Sequence, residues 1–281
     1  MINHPKPTSY PYGREYQLNQ AEKYRNRSTN HWKQRIALAH RLVDTYALPR
    51  LDGQKQKKPV VLDIGCSIGT FAIEFAKKGY PSYGIDFDGS ALEIARELAQ
   101  EEYVSPIFIQ GDVSDLEADF SPIDLAICFD VFEHLHDDEL GALLVSLKKR
   151  LSKDGSLVFH TCPTQYEVIF YGLPLIRCLL IPFAFLQPAW FNVLVKMYAN
   201  LLEIVLLLRN GVTYREKLKL RAHCNPTTQE RLTDILHRLG YEIVFIESSN
   251  LYDTAAPVAK YFTRQPISYY NLYGVAILKE K

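Results

Sequence analysis

The chain has 281 residues, of which 47% are apolar, and its 32 Lys and Arg residues balance 32 Asp and Glu residues. This length accommodates one large domain, or one domain with an extension and an insertion, and zero net charge identifies no class of partner. The five cysteines are odd in number and include no CxxC pair, which excludes a disulfide-rich scaffold and fits a reducing compartment.

The charges are unevenly distributed along the chain. Residues 1–58 have a net charge of +8, residues 59–140 a net charge of −15, and the remainder a net charge of +7. Two interpretations stay open. The charged residues form solvated faces that partly neutralise one another, or a basic rim surrounds an acidic centre that binds a ligand.

The first 58 residues are predicted to form an N-terminal extension. Residues 1–19 are rich in Pro, Tyr and Gly and are expected to be irregular, without the apolar run of a secretory signal, so we expect a cytoplasmic location. An apolar stripe at helical spacing predicts one helix over 20–48, and the polar residues 52–58 are predicted to form a linker.

From residue 60 onward, short apolar segments alternate with amphipathic ones. Strands are predicted at 60–65, 82–87, 106–110, 123–129, 156–161, 242–247 and 270–278. Helices are predicted at 70–78, 90–103, 137–151 and 227–239. This alternation predicts an α/β fold with a doubly wound, mostly parallel sheet. Residues 59–164 and 223–281 would form its two parts, separated by a hydrophobic helical insertion over 165–222.

A glycine loop follows the first predicted strand, in the phrase Asp63-Ile-Gly65-Cys-Ser67-Ile-Gly69. Gly65 permits a tight turn against a ligand, and Gly69 lets the next helix begin close to the strand. The loop fits the nicotinamide fingerprint poorly, because Ser67 replaces its middle glycine, and it lacks the lysine of a P-loop. Asp63 would lie well beside an ammonium group or a ribose and badly beside a pyrophosphate.

Acidic residues also end the next three predicted strands, at Asp86, Asp112 and Asp130. A carboxylate at the position of Asp86 can accept both hydroxyls of a ribose. Four acids along one edge of a sheet favour a cationic nucleoside over a phosphorylated one. S-adenosylmethionine, with a net charge of +1, is such a nucleoside. Each acid taken alone could equally be a helix cap or a loop residue.

These motifs resemble those of the class I S-adenosylmethionine-dependent methyltransferases, in the small-molecule branch that includes the ubiquinone-biosynthesis O-methyltransferases. The resemblance covers residues 60–162 and, more weakly, 223–280, and the Glu133-His134-Leu135 run is typical of that branch. It implies a seven-stranded sheet with an antiparallel last strand.

The resemblance also implies a role for each matched residue. Asp63, Gly65 and Gly69 would lie against the methionine part of the cofactor, and Asp86 would hold the ribose. The remaining cofactor-binding positions would be Phe87 beside the adenine, Asp112 at its amino group, Val113 at a ring nitrogen, and Phe129 with Asp130 over the methionine end.

Four histidines are candidates for the base that would activate a hydroxyl acceptor: His134, His136, His160 and His223. We favour His134 and His223 as catalytic residues, although each could instead be a structural hydrogen-bonding group. We predict no metal site, because the neighbouring residues of the Glu133–His136 run point in different directions. The Cys162-Pro163 dipeptide is interpreted as structural.

The insertion is strongly apolar, since residues 168–208 contain only three charged residues, and a basic segment follows over 209–221. A lid over an acceptor pocket, a membrane-surface element and a membrane span all remain open, although three prolines disfavour a span. The lid and the surface element both imply an apolar acceptor. We therefore expect peripheral membrane contact through 168–221 or a lid.

The leading hypothesis is a methyltransferase that acts on a lipophilic or aromatic small molecule at oxygen, with no nucleic-acid partner. One alternative is a methyltransferase-like, non-enzymatic subunit docked on a membrane. Another is a nicotinamide-dependent oxidoreductase, which Ser67 disfavours. A nucleic-acid methyltransferase is disfavoured because the sequence lacks an Asn-Pro-Pro-Tyr motif.

Overall fold

The computed structural model of the chain describes residues 12–26, 30–51, 58–114, 116, 122–162, 181–183, 185–186, 188–213, 216, 223–249 and 271–279. The predictions for residues 1–11, for the linker at 52–57 and for 163–180 and 217–222 of the insertion lie outside this set. None of the described helices combines the length and the apolar composition that crossing a membrane requires.

The described strands form one seven-stranded sheet in the order β3-β2-β1-β4-β5-β7-β6. The strands are β1 Val61–Ile64, β2 Ser82–Asp86, β3 Ile107–Gln110, β4 Ile123–Phe129, β5 Leu151–Thr161, β6 Tyr241–Ser249 and β7 Asn271–Leu278. The first five are parallel, and β7 runs antiparallel to both of its neighbours. The predicted fold class is confirmed.

The helices are α1 Arg14–Arg25, α2 Asn30–Leu42, α3 Thr70–Lys77, α4 Gly89–Glu101, α5 Asp137–Arg150, α6 Pro188–Asn210 and α7 Gln229–Arg238. A π-helical turn, Val43–Ala47, and a 3₁₀ turn, Leu48–Arg50, extend α2. The chain order changes direction between β1, which pairs with β2, and β4, which pairs with β1 on its other side. Ligands of open α/β sheets bind at the carboxyl ends of the strands at such a point.

The hydrophobic core has two layers because alternate side chains of each strand point to opposite faces. On one face, Leu62 and Ala126 belong to the same buried cluster as side chains of α5 and α7. On the other face, Val61 and Leu125 pack with side chains of α2 and α3. All seven residues of β4 are buried, as expected for a central strand of a parallel sheet.

The N-terminal segment corrects one sequence prediction. Two helices replace the single helix predicted over 20–48, and α1 begins at Arg14, within residues predicted to be irregular. The buried side of α1 consists of Gln17, Gln20, Ala21 and Tyr24. Because two of these four are glutamines, the segment has helical spacing without an apolar period, and a search for apolar periodicity misses it.

Helix α1 is fixed across α3 and α4. The Tyr24 hydroxyl donates to Glu74 Oε1 at 2.6 Å, and Arg25 donates to both carboxylate oxygens of Glu101 at 2.7 Å. The Arg25–Glu101 ion pair is exposed and therefore adds little to stability. The Tyr24 ring is buried, and its burial contributes more to holding α1 in place. These contacts place α1 over the glycine loop.

Candidate functional site

A pocket of about 380 Å³ opens at the carboxyl ends of β1, β2 and β4. Its floor comes from the loops that follow these strands, and its roof from α1 and α2. Nine of the eleven predicted site residues line it: Asp63, Gly65, Asp86, Phe87, Val113, Phe129, Asp130, His134 and His223. Gly69 and Asp112 do not.

The glycine loop passes close to two side chains of the sheet region. Gly65 has φ +65°, and a Cβ atom there would lie 2.6 Å from Val131 Cγ2. Gly69 has φ +76°, and a Cβ atom there would lie 2.6 Å from the Phe108 ring. Glycine is therefore required at both positions by conformation and by space. Gly69 thus shapes the loop from outside the pocket.

Asp63, at the end of β1, is almost completely buried below this loop. Its Oδ2 accepts a hydrogen bond from the backbone N–H of Ala72 at 3.0 Å. Burial raises the pKa of Asp63 to about 8, and the nearby charge of Asp86 adds to the rise. A bound cation would therefore stabilise the charged form of this carboxyl.

Asp86, at the end of β2, joins that strand to the glycine loop. One carboxylate oxygen accepts from Ser67 N at 2.8 Å, and the other accepts from Asp88 N at 2.9 Å. Burial raises the pKa of Asp86 despite these hydrogen bonds. The half-exposed Phe87 ring follows it directly at the pocket.

Asp112 has a different environment from Asp63 and Asp86. Its Oδ1 accepts from the backbone N–H of Ser114 at 2.9 Å and from the Ser114 hydroxyl at 2.8 Å. This is an Asx turn, which a loop acid forms without any ligand. The binding role that the resemblance implies for Asp112 stays a prediction.

Asp130, at the end of β4, is held by two basic side chains. Its Oδ2 accepts from Arg35 Nε at 2.6 Å, and its Oδ1 lies 2.7 Å from His160 Nδ1. Burial would raise the pKa of Asp130, but the charges of Arg35 and His160 outweigh burial and hold that pKa well below its usual range. Asp130 also has φ +58°, a conformation that few residues other than glycine adopt.

Glu133 is buried three residues beyond Asp130. Its Oε2 accepts from the Thr161 hydroxyl at 2.7 Å. Burial and the charge of Asp130 raise the pKa of Glu133 to about 8. Burial therefore favours the neutral form of this glutamic acid, which lines the pocket.

The two favoured candidate bases come together although they are far apart in sequence. The ring centroids of His134 and His223 are 5.0 Å apart, and both rings line the pocket. Asn225 fixes this approach, because its Nδ2 donates to Leu135 O at 2.8 Å and its backbone N–H donates to Glu133 O at 3.0 Å.

The other two histidines lie elsewhere. His160 is completely buried, and its Nε2 is 2.8 Å from Asn271 Oδ1. His136 occupies the N-cap of α5, where its backbone N–H donates to Glu139 Oε2 at 2.8 Å. Both therefore have structural contacts and are absent from the pocket lining.

Among the described residues, Asp130, His160 and Cys162 place potential metal ligands within 4.8 Å of one another. Arg35 approaches the same group, with Nη2 3.7 Å from Cys162 Sγ in addition to its bond with Asp130. A metal ion would have to displace this guanidinium, because like charges repel at such distances. The cluster is therefore better described as an Arg35-centred ion-pair network.

The roof of the pocket was not predicted from the sequence. The roof residues are Tyr12, Tyr16, Gln17, Gln20, Trp32 and Arg35. Ser67 Oγ donates to Gln17 Oε1 at 2.7 Å, which joins the roof to the glycine loop. One indication was present in the sequence: Arg35 lies three residues after Trp32 and four before Ala39, on the apolar stripe of α2.

Comparison with known proteins agrees with this geometry. Residues 61–155 match the sequence model of a family described as "Methyltransferase domain". Residues 61–155 form a methyltransferase domain of class I. The resemblance inferred from the glycine loop and the strand-end acids is thereby confirmed. Members of this superfamily depend on S-adenosylmethionine, which the methyltransferase domain of this chain is accordingly built to use.

Two curated relatives match the methyltransferase domain. The ubiquinone biosynthesis O-methyltransferase of Rickettsia akari is 27% identical over 113 residues, which are 40% of this chain and 44% of the relative. That of Vibrio vulnificus is 36% identical over 93 residues, which are 33% of this chain and 39% of the relative. The chain thus spans less than half the length of these relatives.

Two solved structures share the described fold. An S-adenosylmethionine-dependent methyltransferase from Clostridium acetobutylicum has a TM-score of 0.54 at 10% identity, covering 94% of this chain and 98% of that one. A magnesium protoporphyrin IX methyltransferase from Synechocystis, solved with bound SAH, has a TM-score of 0.50 at 19% identity, covering 95% and 97%. At these identities the likeness concerns the fold.

Proposed function

We propose that the whole chain is an active S-adenosylmethionine-dependent methyltransferase whose cofactor binds in the pocket at the carboxyl ends of β1, β2 and β4. The observation that carries the proposal is the pair of buried carboxyls, Asp63 and Asp86. Backbone N–H groups are their hydrogen-bond donors, and burial raises the pKa of both. A ligand with a positive charge and hydroxyl donors suits this pair.

The fit extends to two other lining residues. Thr70 Oγ1 and Gln20 Oε1 are buried and have no hydrogen-bond partner within the described part of the chain. Both residues line the pocket, so a polar ligand could satisfy these atoms. In this proposal the methionine end lies by Asp63, Gly65, Phe129 and Asp130, and the ribose lies by Asp86. The adenine lies by Phe87 and Val113, and the predicted contact of Asp112 with its amino group would come from outside the pocket lining.

We propose a lipophilic or aromatic acceptor that is methylated at oxygen. Aromatic rings of Tyr12, Tyr16 and Phe129 line the pocket, and the Rickettsia and Vibrio relatives are named as O-methyltransferases. Such rings favour a flat apolar ligand over a nucleic acid. Residues 1–58 would supply the roof, 59–164 the cofactor site, and 165–222 with 223–281 the remaining walls.

When bound, the cofactor would supply an electrophilic methyl group on its sulfonium sulfur. The acceptor oxygen would form a bond to that methyl carbon in line as the carbon–sulfur bond breaks, and the sulfur would leave as a neutral thioether. The protein has to align the acceptor and exclude water, which the roof of α1 and α2 would do. His134 or His223 would take the proton of the acceptor hydroxyl. We also propose that the protein works in the cytoplasm, with peripheral membrane contact through residues 168–221.

The cofactor assignment is tested by replacing Asp86 with alanine. We expect S-adenosylmethionine and its demethylated product to bind the wild-type protein, and both to bind Asp86→Ala at least tenfold more weakly, because hydrogen bonds to a charged group are lost. Isothermal titration calorimetry measures both affinities. Asp234→Ala, at an exposed carboxylate of α7, is the matched control. Unchanged affinity in Asp86→Ala would refute the assignment.

The base assignment is tested with His134→Ala and His223→Ala. We expect at least one of them to lower kcat by about 10²–10⁴-fold while the affinity for S-adenosylmethionine stays unchanged. The assay follows methyl transfer to 4-alkylcatechols of increasing chain length, with a methyl glycoside as the polar comparison. His136→Ala, outside the pocket, is the control. Full activity in both test variants would exclude these histidines as the base.

A further inference from the structure

Helix α6 exposes a continuous row of apolar side chains, which we call the α6 stripe. It comprises Trp190, Val193, Met197, Leu201, Ile204 and Leu208, each between 50% and 82% exposed. Isolated exposed apolar residues are normal on protein surfaces, but a contiguous row along one helix marks an interaction surface. We therefore expect a binding partner to cover the stripe.

The stripe is separate from the face that attaches α6 to the protein. Phe191, Val195, Ala199 and Leu202 lie on the opposite side of the helix and are buried. Lys196 Nζ also lies 3.0 Å from Glu230 Oε1, which joins α6 to α7. Because α6 is already held by these contacts, the stripe is not needed for its attachment.

The spacing of the stripe keeps its residues on one side of α6. Its six residues are separated by intervals that average 3.6 residues, the repeat of a straight α-helix. A straight row of apolar side chains can lie along a plane over its whole length.

The residues that flank the stripe in the sequence have the composition of a membrane-interface segment. Trp190 lies near one end, and the exposed Phe185 precedes the helix. Arg209 lies at the other end, and the sequence continues with Arg215, Lys217, Lys219 and Arg221 against the single acid Glu216. Amphipathic helices at membrane surfaces combine a large aromatic or aliphatic face with basic residues that attract anionic headgroups.

We propose that the α6 stripe lies on an anionic phospholipid surface, with its apolar side chains at the boundary between headgroups and acyl chains. The basic residues that follow α6 supply the electrostatic attraction. This inference rests on the membrane contact proposed above and specifies its surface, but it does not depend on methyl transfer. An apolar acceptor dissolved in that membrane would then be within reach of the same protein.

Vesicle flotation of the full chain tests the proposal. We expect the wild-type protein to float with vesicles of phosphatidylcholine and phosphatidylglycerol and much less with phosphatidylcholine alone. The double variant Met197→Gln/Leu201→Gln should bind at least tenfold more weakly. Val145→Gln, at a 43% exposed apolar residue of α5, is the matched control and should bind like the wild type. Equal binding of the double variant and the wild type would overturn the proposal.

The fluorescence of Trp190 gives a second measurement that does not depend on a stripe variant. The chain has two tryptophans, so Trp32→Phe leaves Trp190 as the only one. We expect its emission to shift to the blue with anionic vesicles and to be quenched by brominated acyl chains. An unchanged emission would contradict membrane docking.

Light scattering distinguishes docking on lipid from self-association. A dimer that the double variant abolishes, together with no vesicle binding, would assign the stripe to a second copy and overturn the proposal. Vesicle binding is measured without S-adenosylmethionine, and the calorimetry is done without vesicles. Failure of either proposal therefore leaves the other intact.

Discussion

Replacement of Arg35 by methionine is expected to lower the free energy of unfolding by about 3 kcal/mol. Arg35 is only 4% exposed and donates to Asp130, and removing one member of a buried ion pair leaves the other charge without its partner. Breaking a buried ion pair usually costs about 3–5 kcal/mol. We expect the lower end of this range because the Asp130 side chain is 28% exposed and keeps its contact with His160. Urea unfolding at pH 7 measures the change.

A double-mutant cycle identifies the cause of this loss. Asp130→Asn combined with Arg35→Met removes both charges, and we expect part of the lost stability to return. Arg14→Met breaks the exposed ion pair with Glu93 and should cost less than about 1 kcal/mol. A loss below that value in Arg35→Met, or strict additivity in the cycle, would mean that the Arg35–Asp130 pair contributes little.

The sheet and the floor of the pocket were predictable because local patterns determine them. Alternating apolar and amphipathic segments indicated a parallel α/β sheet, and parallel strands bring their carboxyl ends to one edge. Asp63, Asp86 and Asp130 therefore lie around one pocket, although 67 residues separate the first from the last.

The roof was not predictable by the same reasoning. The buried side of α1 contains two glutamines and therefore has no apolar pattern in the sequence. Asp130, the partner of Arg35, lies 95 residues away along the chain. The sequence also did not predict that the pKa of Asp63 is raised whereas that of Asp130 is lowered. This difference depends on which charged groups approach each carboxylate in three dimensions. Periodicity identifies which face of a helix is buried, but it does not identify what that face contacts.

Replacement of Glu133 by glutamine is expected to reduce the loss of stability that occurs as the pH rises. Glu133 has a folded-state pKa of about 8, above its ordinary value of 4.5, so the folded protein binds more protons than the unfolded chain between these two pH values. The contribution of Glu133 to stability therefore falls as the pH rises from about 4.5 through 8. For this one group, the fall is on the order of 3–5 kcal/mol.

Glutamine remains neutral over this range and retains an oxygen that can accept from the Thr161 hydroxyl. Urea unfolding between pH 5 and 8 should therefore show a smaller decline in the variant than in the wild type, and greater stability of the variant at pH 8. The decline should persist in part, because burial also raises the pKa of Asp63 to about 8.

Glu242→Gln, at an exposed residue of β6, is the control. Identical pH dependence in Glu133→Gln and the wild type would show that Glu133 is already charged in the folded protein. Saturating S-adenosylmethionine should reduce the share of the decline that comes from Asp63, since a bound cation beside that carboxyl favours its charged form.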